Sequence, residues 1–214
     1  MTRNTRERLI DTAGDLFYTN GFQAAGLERV RNAVGITKTA FYKHFESKDD
    51  LILAVLDRRD RQDIADAIAH MRRRGGDDPR AQILALFDLL AKWFQQPDFR
   101  GCLFMNAATE FASPADPIHR AAAAHAQHIA AEVLLRVQAA GLPDPEQVTR
   151  QLMILISGAI AARHVAGALD AAATARKTAA VLLSDSTRLP ARESRSDRRL
   201  GTTLRASRRE RMGG

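Results

Sequence analysis

The sequence predicts an all-α fold in which a small N-terminal three-helix domain is joined to a larger helical C-terminal domain. Three observations carry this. Apolar residues recur at three- and four-residue spacing along most of the chain, glycine and proline punctuate the intervals, and no run of alternating β-branched residues reads as a strand. With 214 residues, 45% of them apolar, the chain can build one sizeable core or a small domain attached to a larger one.

The first helix is expected from about Thr5 to Thr19, with Leu9, Ile10, Ala13, Leu16 and Phe17 on one face and Asn20 and Gly21 ending it. The stretch from Gly26 to Phe45 reads as two short helices around a tight turn. Leu27, Val30 and Val34 keep helical spacing, Gly35 supplies a left-handed turn residue, and Thr37 can cap the second of the two helices. Phe22 and Leu27 cover the same small core, to which Phe41 and Phe45 pin the second short helix. Ser47 then caps a new helix, with Asp49 and Asp50 in its first turn and Leu51, Ile52, Val55 and Leu56 as its buried stripe.

From Arg58 to Asp63 no apolar residue occurs, so the helix is either solvated or broken there, and the domain boundary is expected near Arg58 to Gln62. Ile64, Ala65, Ile68 and Met71 resume the stripe until Gly75 to Pro79 stop it. Asp78 and Pro79 open the next helix, which ends before Pro97 and has Ile83, Leu84, Phe87, Leu90, Ala91 and Phe94 on its apolar face. A short apolar helix spans Gly101 to Phe111. A long alanine-rich one runs from Asp116 to Ala140, Gly141 to Pro145 divide it from another running to about Gly167, and a last one covers roughly Ala171 to Ser184. The predicted domains are residues 1–58, 59–185, and an arginine- and serine-rich tail, 186–214, too poor in apolar residues to fold.

The net charge of +7 says little about the folded body. The tail from Ser186 holds nine arginines against Glu193, Asp197 and Glu210, a net +6, which leaves +1 for everything before it. The local excess matters more: between Arg29 and Lys48 five basic residues stand against Glu46 alone, a net +4 suited to phosphate binding. The tail could add unspecific DNA affinity by counterion release, or be only a solvated extension. The single cysteine, Cys102, excludes an intrachain disulfide and fits a reducing cytoplasm. No targeting segment is visible, and the longest apolar run, near Leu152 to Ala162, is too short to span a bilayer, so a soluble cytoplasmic protein is expected.

No glycine-rich phosphate loop, paired-cysteine metal motif or nucleophile elbow occurs, which argues against catalysis, and no cofactor is expected. The second short helix instead carries Thr37, Lys38, Thr39, Tyr42, Lys43 and His44, donors suited to phosphate oxygens and base edges, with Ala40 small enough for close approach to a groove. Taken alone, that run could equally be a solvated helix face. His44 lacks a carboxylate or thiol at ligand spacing, which favours a phosphate contact over a metal ligand or pH switch. His125 and His128, three apart and near His119, permit a metal site without suggesting a further ligand; a surface or interface role is the commoner alternative. Cys102 heads a short helix and could be a redox or electrophile sensor, or simply a small buried hydrophobe. Asn106 and Glu110 share a helix face with Cys102 or Met105. Either they are polar anchors in a ligand cavity, with Phe87, Phe94, Cys102 and Met105 around them, or they are buried polar groups satisfied by neighbours.

Val34, Gly35, Ile36 and Thr37, then Tyr42, His44 and Phe45, Ser47 and Lys48, and Leu51 stand in the pattern of the TetR (tetracycline-repressor-like) family of bacterial transcriptional regulators, which this region of about fifty residues resembles. The segment from Phe99 to Phe111 resembles one branch of that family. The resemblance implies a three-helix DNA-binding domain, a larger ligand-binding and dimerisation domain, and release of operator DNA when a small molecule binds. By position it implies that Thr37 to Ala40 enter the major groove and that Tyr42, His44 and Lys48 contact phosphates. Two departures stand out. Ala25 and Gly26 replace the hydroxyl residue that caps the second helix, and Thr39 replaces a frequent glycine.

The implied partners are a double-stranded DNA operator, a small-molecule effector and a second copy of the chain, with the helices about Ile118 to Ala140 and Glu146 to Ala166 packing as a four-helix bundle in a homodimer. A dimer is also expected physically, because one short recognition helix makes too few contacts for specific binding. Effector binding is expected to shift the helix that begins at Ser47. A protein of this fold answering to a protein partner or to nothing, and a helical enzyme with an accidental helix-turn-helix, are the alternatives.

Overall fold

A computed structural model describes residues 4–184. Among them are nine helices and no strand: α1 (Thr5–Asn20), α2 (Leu27–Val34), α3 (Lys38–Tyr42), α4 (Lys48–Gly75), α5 (Pro79–Phe94), α6 (Leu103–Glu110), α7 (Pro117–Ala139), α8 (Pro145–Ala166) and α9 (Ala171–Ser184). The tail expected to be disordered, 186–214, lies outside the described residues.

Capping explains most of the boundaries. The side chains of Asn4, Thr37, Ser47, Asp78, Asp116 and Asp144 each accept a backbone N–H in the first turn of the helix they precede. Proline stands directly after the cap in α5, α7 and α8, where its missing N–H has no partner to lose. At the end of α2, Gly35 sits at φ 75° and ψ 40°. Its N–H donates to the Arg31 carbonyl at 2.9 Å and that of Ile36 to the same oxygen at 3.1 Å, so the chain reverses without leaving the last carbonyls bare.

α4 is one unbroken helix of 28 residues, about 42 Å long at 1.5 Å per residue. The stretch without apolar residues is neither broken nor merely solvated, because its charges are paired on three sides. Arg59 binds Asp63 at 2.8 Å and Arg61 binds Asp57 at 2.5 Å along the helix; Arg58 reaches Asp11 of α1; and Asp60 accepts from two histidines of α7. α4 therefore crosses the expected boundary at residue 58 as a rigid rod.

Two apolar cores flank that crossing. One gathers Leu9, Phe17, Phe22, Val30, Phe41 and Leu51 from α1 to α4, but it also takes Leu103, Phe104 and Ala107 from α6 and Ile118 and Ala122 from α7. The other joins the far half of α4 to α5, α8, α9 and the end of α7 around Met71, Phe87, Phe94 and Leu152. α6 thus packs with the N-terminal helices although it lies far beyond them in sequence.

Candidate nucleic-acid interface and interior cavity

α3 is only five residues long, so its orientation comes from packing. Phe41 is fully buried and Phe45 nearly so, their rings 5.8 Å apart, and Arg6 of α1 lies over the Phe45 ring at 5.1 Å. Arg8 donates to the Val34 carbonyl at 2.7 Å and ties α1 to the end of α2. These anchors turn Thr37, Lys38, Thr39, Tyr42 and Lys43 outward to solvent, with Ala40 and His44 half-buried. Tyr42 is 48% exposed, an unusual position for a large aromatic, and its hydroxyl end is free to meet a polar partner. Lys38 lies 6.0 Å from the Tyr42 ring.

Two of the expected DNA-contacting groups have internal duties. The Thr37 hydroxyl caps α3 by accepting the Ala40 N–H at 3.1 Å. The Lys48 ammonium turns inward and donates to the Phe22 carbonyl at 2.6 Å, 6.0 Å from the Phe17 ring, because that loop carbonyl has no helix partner. Gly26 caps α2 with no side-chain bond, as the sequence implies.

The residues expected to line a ligand site are only partly brought together. Cys102, Met105, Asn106 and Glu110 share a cleft of about 410 Å³ between α6 and α8. Phe87 and Phe94 do not join them. Both are fully buried, Phe94 edge-on to Phe99 at 5.4 Å, and they form the core behind the cavities and not their walls. Glu110 is already engaged: its two carboxylate oxygens accept the backbone N–H groups of Phe22 at 3.0 Å and Gln23 at 2.8 Å, in the loop between α1 and α2. Gly21, at φ 85°, gives that carboxylate room, since a Cβ there would meet it at 3.0 Å. Asn106 donates to the Arg100 carbonyl at 3.1 Å.

A better enclosed space lies between α4, α5, α7 and α8. One lobe of about 320 Å³ is walled by Asp63 and Arg59 of α4, Trp93 and Leu90 of α5, His125 of α7 and Ile156 of α8. A second lobe, about 250 Å³, lies between α6, α7 and α8 and is lined by four alanines among larger apolar side chains, with Met153 and Ser157. The lobes share Cys102, His125, Ile129, Ile156 and Ile160, so the two spaces adjoin across these side chains.

His125 is the most constrained of these shared groups. Its ring stacks on Phe104 of α6 with centroids 3.7 Å apart and planes 6° from parallel. Its Nδ1 lies 2.7 Å from one oxygen of Asp60, and the Nδ1 of His128 lies 2.7 Å from the other. The structure thus gives this histidine pair a carboxylate that the sequence did not suggest. Among the described residues no group of three or more His, Cys, Asp or Glu side chains is arranged to hold a metal ion.

Burial raises the pKa of Asp63, against the opposing pull of the Arg59 guanidinium. Burial likewise pushes the Cys102 thiol up, outweighing the backbone N–H groups of Met105 and Phe104, so the helix start does not make it a ready thiolate. Asp60, Asp63 and Trp93 are site residues that sequence patterns did not single out, and His125 gains its role only from the partners that folding brings to it. The signal for the two aspartates was the run of charges interrupting an otherwise amphipathic helix, which marks groups with specific partners.

The family model described as "Bacterial regulatory proteins, tetR family" matches residues 9–55, and that described as "Tetracyclin repressor-like, C-terminal domain" matches residues 79–179. Among solved structures, SCO4454, a TetR-family transcriptional regulator from Streptomyces coelicolor, is 33% identical, with a TM-score of 0.78 over 85% of this chain and 89% of that one. A putative TetR transcriptional regulator from Streptomyces avermitilis is 29% identical, with a TM-score of 0.76 over 86% of this chain and 98% of that one. The HTH-type transcriptional activator FasR of Mycolicibacterium smegmatis is 32% identical over 88 residues, which are 40% of this chain and 40% of that protein. The N-terminal head, the all-helical body and these full-length structural neighbours agree, and the chain belongs to the TetR family of DNA-binding transcriptional regulators, whose work is control of transcription and not catalysis.

Proposed function

We propose that the protein is a homodimeric repressor that binds a palindromic operator and leaves it when a small molecule enters the interior cavity. One observation supports this above the rest: the helices that wall the cavity are the helices that hold the DNA-reading head. α4 carries Asp63 at the cavity and continues without a break to Ser47, next to α3. α6 walls the alanine-lined lobe and grips the head through Glu110. A ligand that repositions either helix tilts α3 in each protomer. The response requires that the ligand prefer the arrangement in which the two heads no longer match the DNA.

The dimer reading rests on the apolar residues left uncovered on α7 and α8. Leu135 is 58%, Ile154 70% and Val165 84% exposed, large apolar side chains that a single chain leaves uncovered. Pairing through these helices suits two recognition helices about 34 Å apart on one DNA face. On the DNA side, Lys38, Thr39, Ala40 and Tyr42 read or approach the groove, with Lys43, His44 and the hydroxyl of Tyr42 on phosphates. Acting on DNA places the protein in the bacterial cytoplasm; among the described residues no helix is long and apolar enough to cross a membrane.

The test is selection of bound sequences from random duplex DNA, with affinity then measured with and without ligands that alter the fluorescence of Trp93. Palindromic sites and a loss of affinity on ligand binding are expected. Operator affinity that ignores every cavity ligand overturns the proposal. A second reading, activation, is favoured by the relative named a transcriptional activator, and a promoter-reporter assay with the selected site decides the sign.

A further inference from the structure

We infer that the interior cavity is built for an amphipathic organic cation, with Asp63 receiving the cationic head and the alanine-lined lobe receiving the apolar tail. The biological meaning of this rests on the effector reading above; the chemistry rests on the cavity itself.

The first argument is charge. Asp63 and Asp66 line the acidic lobe against a single guanidinium, Arg59, and Asp60 stands behind its wall, bonded to His125. An anion entering this space meets a net negative lining, whereas a cation is drawn to it. The second is that Arg59 is a replaceable partner. It reaches Asp63 at 2.8 Å from the preceding turn of the same helix, in a pair whose side chains are 45% and 34% exposed, so it can swing into water without losing much. The third is that Arg59 leaves Asp63 incompletely compensated, since burial still dominates the carboxylate's surroundings. An ammonium held in the lobe can meet that carboxylate in place of the guanidinium at its rim.

Shape agrees with charge. Trp93 faces the same lobe and offers an aromatic surface to an ammonium group. Beyond Ile129 and His125, the small side chains of Ala122, Ala123 and Ala126 leave about 250 Å³ of apolar space, where an alkyl or aryl tail displaces nothing polar. The ligand is therefore a primary or substituted amine on a hydrophobic body, neither a carboxylate nor a neutral hydrocarbon.

Trp93 is the only tryptophan of the chain and reports on the lobe directly. Three probes with one tail and different heads, octylammonium, 1-octanol and octanoate, are titrated below their micellar concentrations into the full chain near neutral pH while Trp93 fluorescence is monitored. Octylammonium is expected to bind at least about tenfold more tightly than 1-octanol, with octanoate weakest. Asp63→Asn is expected to weaken octylammonium by about tenfold and to leave 1-octanol unchanged. The head-group order on the unmodified protein decides the matter even without that variant. Equal affinity for 1-octanol, preference for octanoate, no binding of any probe, or an octylammonium affinity indifferent to Asp63→Asn each overturns the inference.

Failure here is distinguishable from failure of the proposed function. Octylammonium binding that leaves operator affinity unchanged preserves the cavity's chemistry and removes the effector response. Operator release by a neutral or anionic cavity ligand does the reverse.

Discussion

Asp63 illustrates what a single residue costs when it is kept for binding. Its pKa is raised, so the folded chain holds this proton more readily than the unfolded one. The contribution to stability is therefore favourable below the ordinary carboxylate range, near pH ~4, and is lost as pH rises through the folded-state value. At neutral pH the carboxylate is a net cost, and Asp63→Asn is expected to raise the melting temperature there. The difference should shrink on acidification, and calorimetry from neutral to mildly acidic pH checks it; a lower melting temperature at neutral pH would contradict the reading.

His70 works in the opposite sense. It is 3% exposed, and burial, followed by the nearby charges of Lys92, Arg73 and Arg74, lowers its pKa. The unfolded chain then binds the proton more readily, so stability falls as pH drops below about 6.5. His70→Gln is expected to flatten that acid limb. At the DNA face, Lys43→Ala should weaken binding to every duplex alike and reduce the slope of log affinity against log salt by roughly one, whereas Thr39→Ala should change which sequences are selected.

Among the helices, α6 has a role out of proportion to its eight residues. Its two ends are tied to different things: Cys102 and Phe104 border the interior cavity, and Glu110 holds the loop between α1 and α2 by two charge-assisted hydrogen bonds. Glu110→Gln removes the charge and can satisfy those N–H groups less well, at a cost of about 1–3 kcal/mol in the stability of the head. Urea unfolding gives that cost. The same variant is expected to keep cavity binding, read by Trp93, while its operator affinity responds less to the ligand. The start of α4 depends on Ser47 in a simpler way: its Oγ accepts the Asp50 N–H at 3.0 Å, and Ser47→Ala should cost about 1 kcal/mol.

At the scale of the whole molecule, the proposed assembly explains why Ile154 and Val165 stand in water. A buried helix face is apolar because it meets another apolar surface, and in the proposed assembly a second copy supplies that surface. Ile154→Glu combined with Val165→Glu places two charges in that seam. The variant is expected to sediment as a monomer with an unchanged helical circular-dichroism spectrum, and to lose operator affinity by more than about a hundredfold, because paired half-sites no longer act together. A dimer that survives both substitutions would move the interface elsewhere.

Much of this architecture was legible in the chain. Helix starts at Asp78, Asp116 and Ser47, stops at Gly21, Gly35 and Gly76, and the outward set on α3 all obey local rules, because a cap bonds within its own turn and an amphipathic stripe repeats within a few residues. What the chain could not show was the meeting of distant helices. Nothing near Asp60 announces His125, nothing near Glu110 announces Phe22, and the burial of Phe87 and Phe94 behind the cavity instead of along it depends on how α5 is rotated against α8 and α9. Local sequence determined which segments coil, where they stop and which face each one hides. The cavity, its carboxylate and its grip on the reading head exist only because hidden faces far apart in sequence share one interior, where burial makes partners of charges that water would keep independent.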